Sequence, residues 1–417
     1  MFEFSSKLIE LANLAEANCC SQFALVDRIF ECNQAKVLNA FVENKVSSAH
    51  LCGSSGYGYG DIGRDVIDKV FAQVMGAQAA LVRHNFTCGT HALAVCFFGV
   101  LRPGDKMLYV TGKPYDSLEE VIGLRGTGQG SLKDFGITYS QVDLLNGKPD
   151  YQSIKRECKN AKVICIQRSR GYSLRPSLCI DEIAKLIEIV RQQNKNAIII
   201  VDNCYGEFVE TLEPCCVGAD LCVGSLIKNP GGGIARTGGY IAGNKDLVEL
   251  CANRLTSPGI GREVGCSLEQ NREILLGLFL APQAVANAVK TAIFCSSLFN
   301  LLGFETFPKA TDIRTDIVQS VKLNTHNNLK AFCAGVQAAS PIDSYVVPEE
   351  WDMPGYGSKV IMAAGNFTMG STIESSADGP MLEPFVAYFQ GGLTYPSGKL
   401  CVMNAAANIL NQNKGES

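Results

Sequence analysis

Along residues 6 to 46 the apolar positions fall at helical spacing, with Leu8, Leu11, Leu14 and Ala15 placed for one face. A loop rich in Gly, Ser and Tyr follows, SSAHLCGSSGYGYGDIG. From Asp65 onward amphipathic runs alternate with short apolar ones. Helices are predicted over DVIDKVFAQVMG, Gly89 to Val100, a short stretch after Asp116, YQSIKREC and CIDEIAKLIEIVRQQN. Strands are predicted over QAALVR, KMLYVT, GITYSQV, KVICIQ, AIIIVD, ADLCVGS and TGGYIAG. Such alternation predicts an α/β fold, a mostly parallel sheet covered by helices on both faces. A helical stretch from about 244 to 303 closes this part. Beyond Pro308 the pattern changes to strand DIVQSVKL, helix THNNLKAFCAGVQ, strands near 345 and over 359 to 363, and a last helix from about Gly398. This reads as a smaller C-terminal α+β domain. The expected divisions are 1–60 for an N-terminal helical segment with its loop, 61–303 for the large domain and 304–417 for the small one.

In open sheets of this kind ligands gather at the carboxyl ends of the strands. The loops TCGTHA, TGKPYD, QRSRGYSLRP, DNCYGEF and SLIKN all lie at such ends, which predicts one pocket. Lys228 in SLIKNPGGG follows a short apolar strand and stands 26 residues after Asp202, which ends AIIIVD. A lysine beside such an acid is what pyridoxal phosphate chemistry needs. The amine forms a Schiff base with the aldehyde, and the carboxylate keeps the pyridine nitrogen protonated. Lys228 would then serve as the base for the α-proton. An unpaired carboxylate at the end of an apolar strand is costly to bury, so Asp202 calls for a cation; a helix cap or a salt bridge is the competing reading.

The run NFTCGTHALA sets small polar groups before an apolar helix, and free N–H groups at such a start suit a phosphate. Cys88, Gly89 and Thr90 would form that cup, although an ordinary helix cap has the same composition. Ser225 adjoins the lysine. Tyr115 follows a strand at the same sheet edge, placed to stack on a ring or simply to pack. Tyr57 and Tyr59, with Arg64, stand among glycines and reach a phosphate most easily in a neighbouring subunit, unless the loop is merely flexible. His84 and His91 are not spaced with other metal ligands, and no metal is expected.

Net charge is −4 with no run of like charge, so neither nucleic acid nor an anionic membrane is indicated, and small-molecule chemistry is expected. The N-terminus mixes acids into an amphipathic pattern, unlike a secretory signal, and no run of about 20 apolar residues stands out. A cytoplasmic protein is expected. The eighteen cysteines form no C-x-x-C pair and read mostly as small buried hydrophobes.

Together these residues resemble the fold-type I pyridoxal phosphate enzymes, with their aspartate aminotransferase-like fold. More closely they resemble the methionine gamma-lyase family, a branch often labelled aluminium resistance or cystathionine beta-lyase proteins. The motifs carrying the resemblance are GYGYGDIGR (56 to 64), CGTHAL (88 to 93), VDNCYGEF (201 to 208), SLIKNPGGGIARTGGYIAG (225 to 243), GLFLAPQ (277 to 283), VVPEEWDMPGYGSKVIMAAG (346 to 365), STIESSADGP (371 to 380) and QGGLTY (390 to 395).

The resemblance implies that Lys228 is the Schiff-base lysine, Asp202 the pyridinium partner and Tyr115 the stacking ring. Cys88, Gly89 and Thr90 with Ser225 would hold the phosphate. Tyr57 and Tyr59 would complete the site of an adjacent protomer in a homodimer or homotetramer. The implied activity is a carbon–sulfur lyase acting on a sulfur-containing amino acid, eliminating from the β or γ carbon to give a 2-oxo acid, ammonia and a thiol. An aminotransferase, a γ-replacement enzyme, or a cofactor-binding stress protein without lyase activity are the alternatives. Two departures from the family pattern stand out: Cys88 in place of serine, and Leu382 of PMLEPF in place of an arginine that would bind the substrate carboxylate. Arg168, Arg170 or Arg175 of QRSRGYSLRP, or Arg236, are the substitute candidates, with Arg168 and Arg236 put first.

Overall fold

The computed structural model describes residues 2–353 and 357–415. Pro354, Gly355 and Tyr356 of the 346 to 365 motif therefore lie outside the described residues.

A seven-stranded sheet forms the large domain. Its strands are β1 (Ala79–Arg83), β2 (Lys106–Tyr109), β3 (Thr138–Gln141), β4 (Val163–Gln167), β5 (Ile198–Asp202), β6 (Leu221–Ser225) and β7 (Gly239–Gly243), in the order β1-β7-β6-β5-β4-β2-β3. Strands β3, β2, β4, β5 and β6 run parallel, and β7 pairs antiparallel with both β6 and β1. All residues of β1, β4, β6 and β7 are buried, as expected where helices cover both faces. The helices are α3 (Ile62–Val74), α4 (Gly89–Val100), α5 (Asp116–Ile122), α6 (Tyr151–Glu157), α7 (Ile180–Gln193) and α8 (Lys245–Leu255). Burying this much apolar surface, at roughly 25 cal/mol per Å², is the main force holding the layers together.

The predicted N-terminal helix is two, α1 (Ser6–Ala17) and α2 (Cys20–Glu43), separated by a turn at Asn18 and Cys19. Leu8, Ala12 and Ala15 form the buried face of α1, whereas Leu14 is 50% exposed. That face packs into the core of the small domain, with Leu298, Phe299 and Phe332.

Between α8 and the long α9 (Asn271–Leu301) the chain leaves helical form, so the stretch expected from 244 to 303 is not continuous. Helix α9 corrects a second expectation: it is long and apolar enough to cross a membrane, and most of it is buried inside the protein as a core helix. Its few polar residues interrupt every long apolar run without lowering the average enough.

The small domain holds an antiparallel sheet of β8 (Glu305–Phe307), β9 (Val318–Lys322), β10 (Val360–Ala363), β11 (Ser376–Pro380) and β12 (Val386–Gln390), ordered β10-β11-β12-β9-β8. Helices α10 (His326–Ala338) and α11 (Tyr395–Gly415) complete it. Three of these strands, β8, β11 and β12, are not among those predicted above, although the run VAYFQ of β12 has the composition of a buried strand. No strand forms near 345, where Tyr345 is 84% exposed, and α11 begins three residues before Gly398.

Candidate active site

The parallel strands end in register, Gln167 beside Asp202 and Asp202 beside Val223, so the loops after β4, β5 and β6 open on one side. A cavity of about 270 Å³ lies there. Its wall brings together Cys88, Gly89, Thr90, Tyr115, Asp202 and Lys228, with Ser225 below them. The sequence places these residues on four separate segments.

Lys228 follows β6 by three residues and turns its side chain into the cavity. Its Nζ donates to the Tyr205 hydroxyl at 2.7 Å and lies 3.9 Å from the centre of that ring. Tyr205 has φ +73°, the left-handed region that costs a non-glycine residue about 1 kcal/mol or more. Burial pushes its phenol up, and the Lys228 ammonium pulls it back in part. Sequence reasoning passed over Tyr205; its place three residues beyond Asp202 was visible, but its backbone twist was not.

Asp202 accepts the Cys204 N–H at 3.1 Å. Burial pushes its pKa up, with Cys204 and the Lys228 charge offsetting part of the rise. A carboxyl raised by burial is the natural partner of a cation in the same cavity, which a protonated ring nitrogen would supply. Asp202→Asn keeps an acceptor for Cys204 but no charge. It is expected to leave the melting temperature nearly unchanged while lowering turnover by about 100-fold or more, read from initial rates beside a thermal melt. Unchanged turnover would remove its electronic role.

Helix α4 starts at the cavity. Cys88 caps it, its Sγ accepting the His91 N–H at 3.4 Å, and His91 Nδ1 in turn accepts the Thr87 N–H at 3.1 Å. His91 is thereby a capping residue. The first N–H groups of a helix have no carbonyl one turn back, and with the dipole they form an anion site. Thr90 Oγ1 is 2.5 Å from Ser117 Oγ, and Ser225 Oγ accepts the Ile227 N–H at 3.3 Å. The donor set, the buried acid and the amine fit pyridoxal phosphate: the start of α4 with Ser225 would hold the phosphate, Tyr115 the ring and Asp202 the protonated ring nitrogen.

Over residues 8–410 the chain matches the family model for methionine gamma-lyase. It belongs to the methionine gamma-lyase family. The Bacillus subtilis protein YnbB, of uncharacterised function, is 50% identical over 398 residues, covering 95% of this chain and 94% of that one. Two crystal structures are similar over nearly their whole length. One, from Clostridium novyi, is described as a carbon–sulfur lyase involved in aluminium resistance, with 49% identity, TM-score 0.94 and 97% and 96% of the two chains covered. The other, from Clostridium acetobutylicum, is proposed to be a cystathionine beta-lyase involved in aluminium resistance, with 48% identity, TM-score 0.95 and the same coverage. At 16% identity and TM-score 0.63, the pyridoxal phosphate-dependent YhfS of Escherichia coli shares the fold, over 93% of this chain and 97% of its own. The fold is therefore that of the fold-type I enzymes, and the methionine gamma-lyase family implies pyridoxal phosphate as the cofactor.

Not every candidate residue reaches this cavity. Arg168 is fully buried beneath it; its guanidinium donates to Asn203 Oδ1 at 2.7 Å, the Gly206 carbonyl at 3.0 Å and Glu210 Oε2 at 2.6 Å, and lies 3.8 Å from Glu213. It holds the loop after β5 rather than facing a substrate. Gly206 permits this, since a Cβ there would lie 2.5 Å from the arginine's Cδ and Nη1. Arg236 is at the surface, paired with Glu273 at 2.8 Å. Neither reaches the cavity, for the same reason: acids close in space, but distant in sequence, have claimed both.

Arg64 is buried, and its Nη1 donates to the carbonyls of Gly58 at 3.0 Å and Gly265 at 2.9 Å. Its task in this chain is to brace the glycine-rich loop. Asp61 shares that work. Although burial pushes its carboxyl up, hydrogen bonds from Ser267, Ser54, the Arg64 N–H and Asn271 hold it at about 2. On the braced loop Tyr57 and Tyr59 are each 71% exposed, their rings 5.6 Å apart, and neither lines its own chain's cavity.

Asp378, on the unforeseen strand β11 of the small domain, is close enough to feel the Lys228 charge, though it does not line the cavity. It is buried, accepts from Gln390 Nε2 at 3.1 Å, and burial pushes its carboxyl up to about 7, against hydrogen bonds from Tyr172 and Gln390 and the Lys228 charge. Folding disfavours its charged form, so its contribution to stability falls as pH rises from about 4 to about 7 and is level above that. Asp378→Asn is expected to remove that fall and to stabilise the protein at pH 8 by as much as about 4 kcal/mol, with little change at pH 4. Urea unfolding at the two pH values reads the difference; equal shifts at both would show that Asp378 does not titrate in this range.

Proposed function

We infer that the protein is a pyridoxal phosphate-dependent carbon–sulfur lyase acting on a sulfur-containing amino acid. The observation that carries this reading is Lys228 at a cavity that the raised carboxyl of Asp202 also lines. When bound, the cofactor supplies the electron sink that stabilises negative charge at the substrate's α carbon.

The chain's own residues do the rest. Lys228 Nζ takes the α-proton, and the Tyr205 hydroxyl, 2.7 Å away, orients the amine. Helix α4 and Ser225 hold the anionic end. Tyr115 borders the cavity toward the outside and limits water there.

The cysteines, all of them free thiols, fit a reducing compartment such as the cytosol. The exposed Tyr57 and Tyr59 fit a homodimer or homotetramer in which each protomer offers its braced loop to the neighbouring site. Close relatives described as carbon–sulfur or cystathionine beta-lyases support the reaction class.

The test is 2-oxo acid release by the purified, cofactor-loaded protein from cystathionine, cysteine, methionine and O-acylhomoserines. Pyruvate or 2-oxobutyrate with equimolar ammonia is expected. Amino transfer without ammonia would assign an aminotransferase instead.

A further inference from the structure

Tyr115, Gln167 and Gly171 line both the inner cavity and a second, outer cleft of about 880 Å³, so the two spaces adjoin. At about 270 Å³ the inner space has room for one small cofactor and little more. The outer cleft has the size of pockets that take drug-sized ligands, roughly 300–1,000 Å³.

Its walls include Pro114, Leu144, Tyr172, Leu174 and Leu382. Leu174 is 39% and Leu382 57% exposed, apolar surface that a ligand would cover. The cations on the same walls are already engaged. Lys113 lies 3.0 Å from Asp116 and 2.8 Å from Glu119. Arg175 donates to the carbonyls of Ser169, Gln167 and Pro176, and Arg170 to that of Phe307 at 3.1 Å. A cleft built this way favours an uncharged, apolar group over a second carboxylate, because an anion would compete with Asp116 and Glu119 for Lys113 and with backbone carbonyls for the guanidiniums.

We propose that the outer cleft is the subsite of the leaving thiol, and that the substrate carries a bulky apolar group on sulfur, as in an S-aryl or S-arylalkyl conjugate of cysteine or homocysteine. This rests on the lyase reading above. For a cysteine conjugate the α-proton is removed, the Cβ–S bond breaks with its electron pair passing to sulfur, and sulfur is protonated. Water then replaces nitrogen on the three-carbon product, so that conjugate and one water give a thiol, pyruvate and ammonium.

The experiment compares S-benzyl-L-cysteine with S-methyl-L-cysteine, and S-benzyl-L-homocysteine with methionine, on the holoenzyme and on Leu382→Glu. Calorimetric binding of each amino acid is measured beside kcat/KM. The benzyl compounds are expected to bind more tightly and to react with a kcat/KM at least about tenfold higher, since even one methylene in an apolar pocket discriminates about 10-fold or more. Leu382→Glu should lower the benzyl-over-methyl ratio of kcat/KM to near one. Release of 2-oxo acid with equal or greater kcat/KM for the methyl compounds overturns the subsite and leaves the lyase reading standing. Selective binding of benzyl compounds without 2-oxo acid keeps the subsite and removes the lyase reading. Absence of both sinks the two together.

Discussion

Lys228→Ala abolishes the reaction: turnover is expected to fall by at least the 10²–10⁴-fold typical of a general base, and further if the amine also anchors the cofactor. The reason is local. Lys228 holds its Nζ at the Tyr205 hydroxyl inside the cavity, where a protonatable amine can both bind an aldehyde and carry a proton. Removing it leaves Tyr205 buried without its cation, yet touches no core contact, so the fold should survive. Two measurements read this together: borohydride reduction followed by peptide mapping, which should find the cofactor on Lys228 in the wild type and nowhere in the variant, and 2-oxo acid release. Cofactor trapped on another lysine would show the assignment to be wrong.

Arg168→Ala is expected to cost about 3–5 kcal/mol of stability, the range for leaving buried charge uncompensated. Glu210 at 2.6 Å and Glu213 at 3.8 Å would lose their cation, and Asn203 and the Gly206 carbonyl a donor. These groups shape the loop that carries Cys204 and Tyr205, so cofactor affinity should drop as well. Chemical denaturation with the cofactor absent isolates the stability term. A substrate-binding arginine would behave differently, raising KM while leaving unfolding unchanged; that outcome would return Arg168 to the site.

The same network explains a buried acid with no place in the mechanism. Glu207 accepts from the Tyr240 hydroxyl at 2.9 Å, and burial pushes its pKa up to about 8, with Glu213 adding to the rise. Its backbone carbonyl accepts from Asn229 Nδ2 at 2.9 Å, one residue from Lys228. The loop after β5 and the lysine loop are thus tied together beneath the cavity, which keeps Asp202 and Lys228 facing the same space.

How much of this could be read from the chain alone follows from where the signal resides. The central strands are nearly pure apolar runs because both faces are buried, and the acid and the lysine that end two of them interrupt those runs visibly. Local composition therefore determined the parallel α/β domain, the start of α4, and the strand ends that bring Lys228 and Asp202 to one cavity. Strand β11, Ser376–Pro380, reads SADGP, and four of its five residues are buried. Nothing in that run alternates, and only cross-strand pairing with β10 and β12 makes it a strand. Asp378 was hidden with it. Leu14 and Leu8 look alike in the sequence, and contact with α9 and the small-domain core decides which is buried. The arginines show the limit most clearly: Arg168, Arg236 and Arg64 carry the same charge along the chain, and only the acids and carbonyls that folding brings near them fix what each one holds. Chemistry written in residue type and strand ends was determined by the sequence; partners drawn from distant segments were decided by the tertiary structure, because hydrogen bonds and ion pairs depend on distances that no local pattern encodes.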